Sequence, residues 1–285
     1  MTITLATATP GGGFPLYGGV VAEVVNAADP SLGVECRNTK GSTENVPLLE
    51  AGSVDLGLVT GEVAIEPFAR GSGLSIAAAM YSTAGMFVVR GDSTARRIGD
   101  LKGRPVAFGA RGSGLVVLAR TVLDGVGLDI ERDFAAIYLD RAGDGPDMVL
   151  DGRAAALWGG GIGWPGFARV AEAGGRFIAP DAGEVERIRA KHAFLKPLTV
   201  PAGAYPGQNA AIASVGSWSF ILARPGWPDE TGYRFARALH RGAGRLAEKL
   251  DQARETTAAN TAAAAPDPAL IHPGVARFLR EIGAL

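Results

Sequence analysis

Two patterns alternate along this chain. Short apolar runs are followed by glycine-bearing loops, and then by stretches in which apolar residues recur every third or fourth position. The first pattern is that of a buried strand and the second that of an amphipathic helix. Ile3 to Ala8 reads as a strand, Thr9-Pro10-Gly11-Gly12-Gly13 breaks it, and Phe14 to Ala27 sets Leu16, Val20, Val21, Val24 and Val25 on one helical face. Val34 to Thr39 repeats the strand, and Lys40 to Asn45 forms a polar loop. Val46 to Ala51 then forms a helix that Gly52 stops. Val54 to Val59 is a third strand, closing on Thr60-Gly61, with a helix over Val63 to Ala69. This βαβαβ order predicts a parallel sheet with right-handed crossovers. In such sheets ligands lie beyond the carboxyl ends of the strands. Thr9, Ser42 and Thr60 follow or end the three strands and are expected to line one edge. Ser42 also suits the N-cap of the helix that follows it.

The middle of the chain repeats the scheme. Ile76 to Met80 and Gly85 to Val89 read as strands, and Arg90 to Ser93 ends the pattern. Val106-Ala107-Phe108 leads into Gly109-Ala110-Arg111-Gly112-Ser113-Gly114. From there Leu115, Val116, Leu118, Ala119, Val122 and Leu123 form a helical stripe. A strand, glycine loop and helix place free backbone N–H groups at a helix start, where the helix dipole favours an anion. Arg111 and Ser113 would add a charge and a hydroxyl; a tight βα turn without a ligand is the alternative. Strands follow at Phe134 to Leu139, Arg153 to Trp158 and Arg176 to Ile178, with helices at Pro146 to Asp151, Phe167 to Ala173 and Glu184 to His192. Ala204 to Gln208 is a turn. Ala210 to Val215 and Ser217 to Ala223 are strands that return to the first domain. Asp229 to Leu250 is a long helix with Tyr233, Ala236, Leu239, Ala243 and Leu246 as its stripe, and Val275 to Ile282 is the last helix.

The plan is therefore discontinuous α/β. Residues 1–88 plus 216–285 form one lobe and 95–200 the other, with hinge crossings at 88–98 and 200–216. The 285 residues, 47% of them hydrophobic, suffice for two cores. Net charge is -1, so no basic face points to nucleic acid. The single cysteine, Cys36, excludes an internal disulfide and is expected buried in its strand. No apolar run is long enough to span a bilayer. No signal peptide is read at the N-terminus, which leaves a cytoplasmic location open beside an exported one.

Catalytic signatures are missing from the sequence. There is no phosphate-binding G-x-x-x-x-G-K-[ST] and no H-E-x-x-H, and both glycine loops fail G-x-G-x-x-G at Leu16 and Val117. His192, His240 and His272 are scattered. Asp140, Asp144, Asp147 and Asp151 fit a solvated loop and helix start better than an acid–base pair. Ser113 has no neighbouring His or Lys to activate it. No metal or cofactor is implied, and binding is favoured over catalysis.

Five segments carry a family resemblance. They are Thr9 to Gly19; Gly41 to Asn45 with Ala51 to Leu56; Asp100 to Gly103 through Gly112 to Gly114; Val200 to Gln208, with Tyr-Pro-Gly-Gln; and His272-Pro273-Gly274-Val275-Ala276-Arg277. On these the chain resembles the TAXI family, the substrate-binding proteins of tripartite ATP-independent periplasmic (TRAP) transporters. The resemblance implies a type II periplasmic-binding-protein-like fold, two lobes with a hinge and a central cleft that closes over a small carboxylate solute, glutamate-like or dicarboxylic. It also implies a periplasmic monomer, TRAP membrane permease subunits as partners, and no enzyme activity. The ligand contacts it implies are Thr9, Gly12, Tyr17, Ser42, Asn45, Thr60, Arg111, Gly112, Ser113 and Gln208. Phe14-Pro15-Leu16-Tyr17 departs from the family's aromatic pair, and Arg111 replaces a smaller residue, which favours an acidic solute. An enzyme or a cytoplasmic metabolite sensor on the same fold is the alternative.

Overall fold

The computed structural model describes residues 2–285. The chain divides into two compact units. Unit 1 holds the residues up to Thr9, Gly13–Tyr81 and Trp218–Leu285, and unit 2 holds Pro10–Gly12 and Ser82–Ser217.

Unit 1 opens with β1 (Ile3–Ala6), α1 (Gly13–Ala28), β2 (Val34–Arg37), α2 (Ser42–Glu50), β3 (Leu56–Thr60) and α3 (Gly61–Ala69). β1 pairs in parallel with β2 on one side and β3 on the other, as the βαβαβ order requires. β4 (Ser75–Ala84) then runs out of unit 1 and into unit 2. In unit 2, β5 (Met86–Val89), β6 (Pro105–Gly109), α4 (Gly114–Gly125), α5 (Ile130–Asp133), β7 (Ala135–Tyr138), α6 (Gly145–Leu150), β8 (Ala156–Gly159), α7 (Pro165–Glu172) and β9 (Arg176–Ile178) follow. Their sheet has the order β7-β6-β8-β5-β9, parallel about β6 and antiparallel about β5. α8 (Ala182–Lys191) and β10 (Lys196–Val200) complete the unit. α8 starts at a capping box between Asp181 and Glu184. β11 (Ile212–Ala223) carries the chain back. Its first half pairs with β10, and its second half lies antiparallel to β3. α9 (Asp229–Lys249), α10 (Ala258–Ala264) and α11 (Pro273–Glu281) finish unit 1.

Alternation along the strands sorts the core of unit 1. Leu5, Leu58 and Ile221 point to a face covered by Val21 and Val25 of α1 and by Phe235 and Leu239 of α9. Ala6, Val59 and Phe220 point to the other face, with Leu49 and Ala64. Each such large side chain removed from water contributes ~1.5–3 kcal/mol. Unit 2 has its own two clusters, one around Phe87, Phe108 and Trp158, the other around Trp164, Phe167 and Tyr205.

Four details differ from the sequence reading. The first crossing falls between Tyr81 and Ser82, ahead of 88–98, because β4 runs unbroken to Ala84 and β5 belongs wholly to unit 2. The return falls between Ser217 and Trp218, so residues 200–216 also belong to unit 2. Cys36 is exposed, since β2 is an edge strand. Gly41, with φ 112°, holds the N-cap position of α2 in place of Ser42, which is the first helical residue. At the start of α11, His272 is 3% exposed; its Nε2 lies 2.9 Å from the carbonyl of Trp227, and its ring rests against Gly232 of α9.

Candidate functional site

The carboxyl edge of the unit 1 sheet is built around Asn45. This side chain is fully buried, and its amide nitrogen donates to the carbonyls of Thr7 and Leu58, each at 2.8 Å. Its amide oxygen accepts from the Thr39 hydroxyl at 2.7 Å. Asn45 thereby ties the end of β1 to the end of β3 and spends its hydrogen-bonding capacity internally. Beside it the Ser42 hydroxyl accepts from the Thr60 N–H at 3.1 Å, joining the start of α2 to the end of β3. The structure thus brings Ser42, Asn45 and Thr60 together. Thr9 lies half-buried beyond β1 in the same unit.

Thr60 precedes α3 at the N-cap position, yet its hydroxyl makes no cap bond. Its Oγ1 is buried without a hydrogen-bond partner. Ser219 stands directly opposite Thr60 across the β3–β11 pairing, and its Oγ is also buried and unpartnered. No motif marks Ser219; only the antiparallel register of β11 places it here.

Tyr17 is withdrawn from the edge. It is fully buried, its ring meets Tyr81 edge-on at 5.3 Å, and its hydroxyl lies 3.0 Å from that of Thr256. Thr256 donates to the Met80 carbonyl at 2.7 Å, so Tyr17 is the donor to Thr256. Burial pushes the Tyr17 hydroxyl far above the usual tyrosine range, with the Thr256 bond acting against it. Helical periodicity turns Tyr17 onto the buried face with Val21 and Val24, where its hydroxyl is committed to Thr256. Tyr17→Phe is expected to cost about 1 kcal/mol in urea unfolding through the lost hydrogen bond, with solute affinity unchanged. A fall in affinity at unchanged stability would return Tyr17 to the site.

In unit 2 the ends of β6 and β7 carry the corresponding edge. Arg111 is exposed and lays its guanidinium over the Tyr138 ring, 3.9 Å from the centroid. The Tyr138 hydroxyl donates to Glu131 at 2.5 Å and accepts from Arg120 at 2.7 Å. Burial and the Glu131 bond push Tyr138 up to about 12, while the Tyr138 and Arg120 bonds hold Glu131 below the usual carboxylate range. Ser113 caps α4, accepting from the Val116 N–H at 3.3 Å, and Gly112 precedes it. Gly12 falls in unit 2, beside Gly11, whose φ of 81° and close approach to the Gly143 backbone leave no room for a side chain.

The Tyr-Pro-Gly-Gln segment is anchored at both ends. Tyr205 donates its hydroxyl to the Gly161 carbonyl and packs on Phe167 and Phe177. Gln208 donates from its amide nitrogen to the carbonyls of Pro201 and Ala210, which closes the loop on itself, and its Oε1 is buried and unpartnered. Trp158 is a core residue whose indole donates to the Leu115 carbonyl at 2.8 Å. Among the described residues no group of three His, Cys, Asp or Glu side chains could hold a metal ion. No described helix is long and apolar enough to cross a membrane.

The sequence pattern of one family matches residues 5–283 and so nearly the whole chain. The chain belongs to the NMT1-like family. Solved structures show the fold of this NMT1-like chain to be of the α/β periplasmic-binding-protein type. The periplasmic binding protein BugD superposes with a TM-score of 0.61 at 12% identity, covering 98% of this chain and 94% of BugD. An ancestral arginine-binding protein bound to arginine gives 0.54 at 15% identity, covering 87% and 97% respectively. The alkanesulfonate-binding protein SsuA from Xanthomonas axonopodis pv. citri, bound to MOPS, gives 0.51 at 18% identity, covering 98% and 83%.

Proposed function

We propose that this NMT1-like chain is the solute-binding protein of a membrane transporter and takes a small organic acid. The observation that carries the reading is the carboxyl edge of the unit 1 sheet. There three parallel strands end together, and Ser42 and Thr60, from successive βα turns, are joined by a hydrogen bond. Ligands of open α/β sheets bind at such edges, and the binding-protein fold supports transport as the use. BugD, SsuA and the arginine-binding protein are named for binding or periplasmic roles, which favours the same role here by analogy of fold.

The finer assignment is a TAXI-type protein of a TRAP transporter, a periplasmic monomer that delivers its solute to permease subunits. It rests on the Tyr-Pro-Gly-Gln and His-Pro-Gly segments. A carboxylate is favoured because Arg111, at the edge of unit 2, adds an exposed cation beside the start of α4. Of the contacts first expected, Thr9, Ser42 and Thr60 are retained in unit 1, and Arg111, Gly112 and Ser113 in unit 2. Asn45 and Gln208 act by shaping the loops that carry them.

The test is calorimetry on protein stripped by unfolding and refolding, with succinate, L-glutamate, taurine and L-arginine as probes. Binding of a carboxylate at micromolar Kd, about -8 kcal/mol, is the expected result. Preference for taurine would overturn the carboxylate assignment in favour of a sulfonate, preference for L-arginine would overturn the glutamate-like or dicarboxylic assignment, and silence from all four would overturn the solute-binding reading.

A further inference from the structure

We infer that Thr60 and Ser219 form a paired hydroxyl clamp that donates two hydrogen bonds to a carboxylate group of the solute. The inference rests on the solute-binding reading above and adds to it which atoms recognise the acid, and a residue, Ser219, that no motif marks.

The argument starts from register. β3 and β11 are antiparallel, and Ser219 pairs with Thr60. Side chains directly opposite on such a pair share one face and stand side by side. That face is fixed by alternation: Leu56 and Leu58 on β3, and Ile221 and Ala223 on β11, all enter the core cluster covered by α1 and α9. Thr60 and Ser219 continue those two rows to the carboxyl end of β3, where the row changes from apolar to hydroxyl.

Burial supplies the second step. Thr60 is 3% exposed and Ser219 is fully buried, and neither hydroxyl oxygen has a hydrogen-bond partner. A hydroxyl taken from water without a partner is a net cost to folding, and such atoms are uncommon in native structures. Two on facing residues are a concentrated cost. Thr60 has an ordinary way out, since a threonine at an N-cap satisfies itself by accepting from the first turn of its helix. It does not do so here. The Thr60 backbone N–H is held by Ser42, which fixes the residue while leaving its hydroxyl uncommitted.

The third step is the chemistry of what would satisfy the pair. Each hydroxyl carries a proton; along this face Leu58 on β3 and Ile221 on β11 are apolar, and Ser217, two residues before Ser219, makes no bond to either hydroxyl. Each hydroxyl can donate one bond and accept others, and an acceptor for each proton is what a ligand can supply here. A carboxylate presents two oxygens and no donor, and charge-assisted bonds to it are stronger than neutral ones. Because both hydroxyls are closed off from solvent, solute entry requires the groups that cover them to move, and a bound carboxylate would then be held away from water.

The experiment compares wild type, Thr60→Val, Ser219→Ala and the hydroxyl-retaining Thr60→Ser and Ser219→Thr. All are stripped of ligand, then measured by urea unfolding without solute and by calorimetry with succinate, L-glutamate and L-glutamine. The expected result is that Thr60→Val and Ser219→Ala are as stable as wild type or more so, yet bind the preferred carboxylate at least tenfold more weakly. The hydroxyl-retaining pair should stay within about threefold of wild type. Equal affinity in wild type, Thr60→Val and Ser219→Ala would overturn the clamp while leaving the solute-binding reading in place. So would loss of stability in the ligand-free variants, because the hydroxyls would then be structural. A wild type that binds none of the three probes would overturn the organic-acid reading, and the clamp with it.

Discussion

Asn45→Ala is expected to destabilise unit 1 by about 2–4 kcal/mol, among the largest effects of any single side-chain truncation at the candidate site. The substitution removes the side-chain donor to the buried Leu58 carbonyl and one of the two donors to the Thr7 carbonyl, which keeps the Thr39 hydroxyl, and it takes one partner from the half-buried Thr39. Each buried polar group left without its partner costs ~1–3 kcal/mol; the Leu58 carbonyl loses its side-chain donor outright, and the weakened Thr7 and Thr39 groups add to that. Because the two carbonyls belong to β1 and β3, the carboxyl edge itself loosens, so solute affinity should fall with stability. Urea unfolding followed by circular dichroism checks the magnitude. A change below about 0.5 kcal/mol, the range of an ordinary surface substitution, would show that the Asn45 bonds do not hold the edge. Asn45→Asp sharpens the test. A carboxylate can donate to neither carbonyl, but its protonated form can donate to one. That variant has a carboxyl pKa raised in the folded state. It should therefore be more stable in acid, below the ordinary carboxyl pKa, and lose stability as the pH rises through the raised value.

Gly216→Ala is the second large effect. A Cβ at Gly216 would lie 1.7 Å from the carbonyl oxygen of Thr83 and 2.7 Å from its carbon, both backbone atoms that no rotamer change can move aside. β4 and β11 would have to separate. That breaks the bond from the Gly85 N–H to the Val215 carbonyl, at 2.9 Å, and the one from the Ser214 hydroxyl to Gly85. Overpacking with backbone displacement costs ~1–3 kcal/mol, and the lost hydrogen bonds carry the sum to about 4 kcal/mol. The measured quantity is the unfolding midpoint, with Gly19→Ala as the control. Gly19 lies within α1 with nothing in 4 Å of its Cβ position. The control should gain ~0.5–1 kcal/mol, because alanine restricts the unfolded chain and favours the helix. Equal stability for the two variants would mean that β4 and β11 can separate freely at Gly216.

These two positions also mark what the sequence can and cannot show. Strands with a period of two and helices with a period near 3.6 leave a one-dimensional trace, so β1 through α3 and β6 with α4 were legible, as was the discontinuous plan. The edge formed by Ser42 and Thr60 followed from strand order alone. Tyr17 was misplaced because its partner, Thr256, lies 239 residues away and is visible only once α1 and the segment before α10 share a core. The first crossing reads too late because Arg90 to Ser93 is the clear break in the strand pattern, whereas the chain passes into unit 2 within the unbroken β4. Cys36 was expected inside because nothing in Val-Glu-Cys-Arg says that its strand is the outermost one. Ser219 had no trace at all, since a lone serine in a strand gains meaning only from the residue opposite it.

The discontinuity of unit 1 has a consequence for synthesis on the ribosome. β11 is the neighbour of β3, and α9 covers Leu5, Leu58, Val21 and Val25, yet both elements come from the last third of the chain. The nascent protein therefore emerges with the first half of a core that it cannot yet close. The strands of the second sheet, Met86 to Ile178, are all available to one another well before Trp218 appears. At ~5–20 residues per second, the early helices and strands wait on the order of ten seconds for their covering helix. During that interval their apolar faces are open to chaperones and to other nascent chains.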